Sequence, residues 1–282
     1  MKKYLSIGNI ICGILTFALL AATISLFAQV EASMPLIKSA VVITDGKVLP
    51  ENEGKLVLVS GNVTADGSIV RDPVFDVTVQ SPYLERIVEV FQWEEDSDGD
   101  SYMEWSRKIS YSSTSNPRSK PFDDMSFYST AKVGEFELSP EHLDKLSEIA
   151  VDVKDLEPSY DANIDTFNTY YYYSTDPSSA FSLIGDAIIT FRMIDPAHLG
   201  RITVLAKQEG GRLTDYNAAE NKYPINYLFH GVLSFDEVLA QVESDNKMGK
   251  IVSIILTVLF AGLTVLFTKR RISRYKARME MR

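Results

Sequence analysis

Cysteine is almost missing from this chain, with one residue, Cys12, in 282. It lies inside an apolar run. The sequence beyond that run therefore holds no disulfide, no thiol nucleophile and no cysteine-ligated metal. Cys12 also has too little apolar sequence before it to read as a lipoprotein cleavage site. Histidine is scarce too: His142, His198 and His230 lie at spacings that suggest no shared site. His142 reads as the polar side of a helix, His198 as a turn residue and His230 as a neighbour of Gly231. No Gly-x-Ser-x-Gly, His-Glu-x-x-His, Cys-x-x-Cys, phosphate loop or dinucleotide fingerprint occurs. Accordingly no catalytic, cofactor-binding or metal-binding residue is assigned, and the chain reads as a non-enzyme. An unrecognised carboxylate site would need a deep pocket with two converging carboxylates. Positive charge is short: 28 Lys and Arg stand against 38 Asp and Glu, for a net charge of −10. Lys2, Lys3, Lys250 and the stretch 269–282 (seven Lys or Arg against Glu280) supply +9, which leaves about −19 on the rest of residues 31–249. Such an acidic segment argues against nucleic acid as a partner.

Two long apolar runs are present. Residues 251–268, IVSIILTVLFAGLTVLFT, carry no charge and run into Lys269, Arg270 and Arg271. At about 1.5 Å per residue such a helix spans roughly 27 Å, close to the hydrocarbon thickness of a bilayer. A core helix of that length would show a polar face, and this one shows none. Residues 4–30 form the other run, behind Lys2 and Lys3. Small residues near Ala28 and Ala32 leave signal-peptide cleavage open, but the run exceeds the apolar core of about 7–15 residues that such peptides carry. An uncleaved signal anchor is the reading adopted. Ala32, Leu36 and Ala40 continue its helical spacing, with Pro35 as a kink. Basic ends around an acidic middle follow the positive-inside pattern. The expected organisation is an anchor over 1–30, a β-rich extracytoplasmic domain over 31–249, a span over 250–268 and a basic cytoplasmic tail over 269–282. Both termini are then cytoplasmic. In a Gram-negative source, the protein would sit in the inner membrane with a periplasmic domain.

The fold class expected is α+β, a β-rich non-cytoplasmic domain between two transmembrane helices. Residues 55–61 form an apolar run suited to a strand buried on both faces, followed by a turn over 62–67. Residues 76–80 alternate, with Val77 and Val79 on one face. Residues 87–93 and 102–111 read as two strands of a long hairpin, with an acidic tip over 94–100 and Trp93 and Trp105 beside it. A Ser/Pro/Asn-rich loop covers 112–124. Ser139-Pro140-Glu141 starts a helix expected over 140–150, with Leu143, Leu146 and Ile149 or Ala150 as its apolar face. Residues 151–169 read as irregular. Strands follow at 170–173, 186–193 and 201–207, and Gly210-Gly211 turns the chain into 212–216. Ser234-Phe235-Asp236-Glu237 fits a capping box, so a helix starts near Phe235 and can feed straight into the last span, with 246–249 as its one expected interruption.

Other motifs carry less. Asp96-Ser97-Asp98-Gly99-Asp100 has its glycine at the fourth position, where a calcium loop wants it at the sixth, and Glu104 comes too early for the bidentate ligand. It reads as a solvated hairpin tip. Asn62-Val63-Thr64 is a glycosylation sequon, relevant only in a eukaryotic source. The four tyrosines at 170–173 and the tryptophan pair read as core and cross-strand packing, with ligand stacking as the alternative.

Taken in order, several stretches resemble one family. Glu51-Asn52-Glu53-Gly54-Lys55-Leu56-Val57 with Ser60-Gly61 comes first. Asp72-Pro73, Val88-Glu89-Val90-Phe91-Gln92-Trp93, an acidic stretch and Glu104-Trp105 follow. Later come Tyr172-Tyr173-Ser174, Gly185-Asp186, Val204-Leu205-Ala206-Lys207-Gln208-Glu209-Gly210 and Asp236-Glu237-Val238. Together these resemble, in pieces over residues 31–250, the transmembrane protein 43 family, also called LUMA. The resemblance implies a domain in a non-cytoplasmic space and a role in organising membrane protein complexes rather than catalysis. Eukaryotic members carry several spans after the domain. The single span here looks like a short prokaryotic member, so the partners of eukaryotic members are not carried over. The functional expectation is a membrane-anchored scaffold, whose partners are the bilayer, further copies of itself or other membrane and envelope proteins. The alternative is a receptor-like sensor signalling through the C-terminal helix to the basic tail.

Overall fold

Leu56, Leu58, Val57 and Val59 are all buried, although neighbours on a strand point to opposite faces. The architecture explains why both faces are covered. The computed structural model describes residues 7–154, 163–217 and 224–280. In chain order it comprises α1 (Ile7–Lys38), β1 (Val41–Ile43), β2 (Leu56–Thr64), β3 (Val70–Arg71), β4 (Thr78–Val79), β5 (Tyr83–Glu95), β6 (Ser101–Ser106), β7 (Met125–Tyr128), β8 (Lys132–Val133) and β9 (Phe136–Leu138). There follow α2 (Pro140–Leu143), β10 (Glu148–Ala150), β11 (Ile164–Thr166), β12 (Tyr170–Tyr173), β13 (Ala187–Ile194), β14 (Arg201–Glu209), β15 (Arg212–Thr214), β16 (Tyr227–His230) and α3 (Phe235–Glu280).

Five strands close a ring. β2 pairs antiparallel with β8, β8 with β9, β15 with β14 and β14 with β2, while β9 and β15 pair in parallel. In ring order these are the first, second, third, fifth and fourth strands, the connectivity of an OB-type Greek-key barrel. Val57, Val59 and Val63 of β2 and Ile202, Val204 and Ala206 of β14 point inward, onto Val133, Phe136, Leu138 and Leu213. The alternate residues Leu56, Leu58 and Leu205 point outward, under the two long helices. The β8–β9 hairpin turns at Gly134-Glu135. Gly134 has φ +60°, and a Cβ there would lie 2.5 Å from the Gly46 carbonyl oxygen, so glycine is required by both conformation and space.

A second sheet is inserted into the barrel's connections. Its strands run β11-β12-β13-β5-β6, with β10 beside β13 and β7 beside β5. One face packs as a separate core of Val70, Phe75, Val77, Leu84, Val88, Val90, Tyr171, Ile189 and Phe191. Under it, Arg86 is paired with Asp72 at 2.8 Å, both almost fully buried. Asp72 also accepts the backbone N–H groups of Val74 and Phe75, and the Arg86 guanidinium lies 5.5 Å from the Phe75 ring centroid.

Several expectations are corrected. The helix expected over 140–150 is the four-residue α2, and Glu148–Ala150 is instead a strand on β13. Leu143 and Leu146 do reach the barrel core. Beyond them, however, the Val151 and Val153 amides bond to Phe191 and Asn168 carbonyls, and that sheet pairing overrides the local helical pattern. In 76–80 only Thr78–Val79 is strand, because Asp76 adopts a left-handed φ of 58°. The turn expected at 62–67 begins later, since β2 runs to Thr64. Strand β6 ends at Ser106 rather than near 111. α3 passes through 246–249 without a break. There a Cβ added at Gly249 would already meet Leu26 at 3.8 Å and Asn246 reaches Met34 Sδ at 3.8 Å, so packing on α1 sustains the helix.

Candidate interaction surfaces

The two helices meet the barrel at a single apolar junction. Ile37 of α1 and Val238 and Val242 of α3 pack with Leu56, Leu58, Leu205, Ile225 and Phe229. Glu237 accepts hydrogen bonds from the Ser234 amide and hydroxyl, completing the cap that starts α3. From there α1 and α3 run side by side in opposite directions. Lys38 bridges to Glu243 at 3.5 Å, Lys250 lies 4.6 Å from the Phe27 ring centroid, and Thr23 bonds to Ser253 at 2.5 Å and Thr257 at 3.3 Å. Thr16 reaches Thr264 at 3.3 Å. Small hydroxylated residues that pair across a helix interface are what lipid-embedded packing favours. Among the described residues, Ile10–Lys38 and Phe235–Arg270 are long and apolar enough to cross a membrane. Their apolar side chains, such as Phe17, Ile24, Val258 and Leu266, are exposed.

The second surface is the β5–β6 hairpin. Phe91 pairs with Trp105 and Trp93 with Met103, around a tip where the Asp96 carboxylate accepts the Asp98 and Asp100 amides. The solvent-facing side of this sheet carries a row of rings. Phe91 and Trp105 are 5.1 Å apart, Trp105 and Tyr172 6.1 Å, and Phe167 stacks on Tyr170 at 4.7 Å. The tryptophans thus flank the acidic tip as the sequence suggests, and the tyrosine run splits: Tyr171 enters the core while Tyr172 faces outward. Between residues 94 and 106 there are six carboxylates and no Lys or Arg. Their field is felt at Tyr102, whose phenol is held above its ordinary value by Glu104 first, then by lost hydration, Glu94 and Asp96.

The polar clusters elsewhere are structural in geometry. Asp186 accepts from the Thr175 amide and hydroxyl, the Leu183 amide and the Tyr172 hydroxyl. Burial raises its pKa, but those bonds outweigh burial and the net shift is downward. His142 is not on a polar helix face, as the sequence suggested, but fully buried. Its Nδ1 faces the Ser139 amide and hydroxyl, its Nε2 faces Asn226 Oδ1, and Asn226 donates to Asp215. Burial lowers its pKa to about 4, against the opposing pull of the Asn226 bond. His198 is exposed and bonded to Asp195, and His230 is exposed on β16. The acidic tip binds itself through Asp96, and among the described residues no group of three or more His, Cys, Asp or Glu is placed to hold a metal ion. A cleft of about 290 Å³ opens beside β9, lined by Tyr128, Leu138, Pro140, Leu143 and the Glu137–Arg212 pair, whose charged atoms are 2.7 Å apart. Sequence reading missed the buried His142 network and the Arg86–Asp72 pair. His142 at the third helical position after Ser139 was the one local signal for the former.

A family model described as transmembrane protein 43 matches residues 91–275. Mouse transmembrane protein 43 is 27% identical over 238 residues, which cover 71% of this chain and 57% of the mouse protein. The human and rat proteins of that name are each 28% identical over 236 residues, with the same coverage. The match thus spans little more than half the length of these curated relatives. No solved structure matches the chain.

Proposed function

This chain belongs to the transmembrane protein 43 family, and on that footing we propose that it is a membrane-anchored scaffold that gathers membrane proteins around its β-rich domain. Family membership and the two apolar helices support a membrane protein. The observation that carries the scaffold reading is the junction of Ile37, Val238 and Val242 with the outer face of the barrel. A domain wedged onto both of its anchors holds one orientation relative to the bilayer, which presenting partners requires. In this reading both termini are cytoplasmic, the domain lies on the opposite side, and the working parts are surfaces rather than a catalytic centre. Cross-linking of the intact chain in its native membrane, with products identified by mass spectrometry, tests it. Adducts to itself or to membrane neighbours are expected. A chain that stays monomeric in several mild detergents and captures no neighbour would sink the scaffold.

A sensor is the second reading, favoured by the unbroken course of α3 from the Ser234 cap into the basic tail. A helix of 46 residues at about 1.5 Å each is about 69 Å long, enough to carry a displacement from domain to tail. Inserting a short glycine-rich linker after Gly249 separates the two readings. Captured neighbours persist for a scaffold, and a tail response is lost for a sensor.

A further inference from the structure

The second sheet ends in a strand with nothing beside it. β6 pairs with β5 alone, and among the described residues no strand lies on its outer edge. An uncovered edge presents unpaired backbone donors and acceptors and is a template for another strand. The residues along it do not bury themselves: Tyr102 is 43% exposed and Met103 49%, and Tyr111 just beyond is 84% exposed. The other terminal strands, β1 and β16 beside the barrel ring and β11 at the far end of this sheet, are three or four residues long, against six for β6. We propose that the free edge of β6 receives an extended, basic segment of a partner protein as an added strand. This rests on the scaffold reading and names the class of partner.

Charge decides the occupant. Six carboxylates and no basic residue lie between residues 94 and 106. A second copy docking edge to edge would set Glu104 and the acidic tip of one chain against those of the other, and like charges across paired strands are destabilising. Anionic lipid and nucleic acid are repelled for the same reason. A strand carrying Lys or Arg gains the opposite sign at every step. The pleat sets its pattern. Met103 and Trp105 lie on one face of β6 and Tyr102 and Glu104 on the other, so the incoming strand wants apolar residues at alternate positions and basic ones between them. The acidic residues thus act as a filter: they block self-pairing of an exposed edge and admit a basic strand.

The experiment uses the full chain in lipid nanodiscs and a synthetic peptide of about eight alternating Lys and Val residues, followed by fluorescence anisotropy and hydrogen exchange. Binding should protect amides of β6 while leaving those of β2 unchanged. The double variant Glu94→Lys with Glu104→Lys, at exposed or half-exposed positions, should weaken binding about tenfold or more. A peptide of the same charge N-methylated at alternate residues, which cannot pair as a strand, should bind at least about tenfold more weakly. No binding, equal binding of the methylated peptide, or binding without protection of β6 would overturn the proposal. Cross-linking of the double variant in membranes separates the two levels. Neighbours captured as efficiently as by the native chain would refute the β6 site and leave the scaffold standing, whereas no neighbours with either chain would refute the scaffold itself.

Discussion

The barrel and the second sheet are built from one chain yet manage their edges in opposite ways. Closure through the β2–β14 pairing leaves only the short strands β1 and β16 at the ends of the barrel's sheet, and the face carrying Leu56, Leu58 and Leu205 is sealed by the two helices. The second sheet is inserted through the barrel's connections, between β2 and β8 and again between β9 and β14. It buries one face, leaves a row of aromatic rings on the other and ends in an open strand. Buried, closed surface serves position and stability, whereas half-exposed aromatic surface beside an open edge serves contact. On the scaffold reading proposed above, the barrel is the mount and the second sheet the working face.

The two regions should break differently. The largest effect is expected from Arg86→Met. It strands the Asp72 carboxylate in the sheet's core, and removing one partner of a buried ion pair costs about 3–5 kcal/mol. Denaturant unfolding of the detergent-solubilised chain measures the loss. The double variant Asp72→Asn with Arg86→Met should recover part of it, because the uncompensated charge is gone. A loss under about 1 kcal/mol for the single change would mean that water reaches the pair and that the second core is not dry. Gly134→Ala strikes the barrel instead. It forces a side chain into φ +60° and onto the Gly46 backbone, for an expected cost of about 2–4 kcal/mol. Hydrogen exchange should then rise first in β8 and β9, with β12 and β13 following later. Simultaneous loss would show that the two regions unfold as one unit.

How much of this could be read beforehand follows the range of the interactions. The double-faced burial of β2, the β5–β6 hairpin with its acidic tip, the Gly210-Gly211 turn and the Ser234 start of α3 are local patterns, and each is present, although β2 runs longer and β6 ends sooner than the residues suggest. Closure of the barrel is not local. It depends on β2 meeting β14 about 140 positions later, and on β8 and β9, which are two and three residues long and leave no periodicity to detect. The same holds for the candidate site. Acidic residues and tryptophans were legible as types. That β6 is an edge depends on strand order, which no stretch of sequence records. The burial of His142 depends on Asn226, 84 positions away.

That histidine gives the smallest and most discriminating test, because the two regions should respond to acid in different windows. His142, at the barrel, has a folded pKa of about 4 against an unfolded value near 6.5. The unfolded chain therefore takes up a proton that the folded chain refuses, so stability is complete above about pH 6.5 and falls as pH drops toward 4. The linkage amounts to about 2 kcal/mol at pH 5. In the second sheet, Asp186 and Asp124 are held below their ordinary carboxylate value despite burial, the latter by Lys120, Arg107 and the Val88 amide. Their contribution is present above the unfolded carboxylate range and is lost only as pH falls below it. His142→Gln keeps an acceptor for the Ser139 amide but cannot titrate, so it should flatten the stability profile between pH 6.5 and 4 and leave the lower, carboxylate-driven loss intact. An unchanged slope in that variant would place the acid sensitivity elsewhere and remove the distinction in pH response between mount and working face.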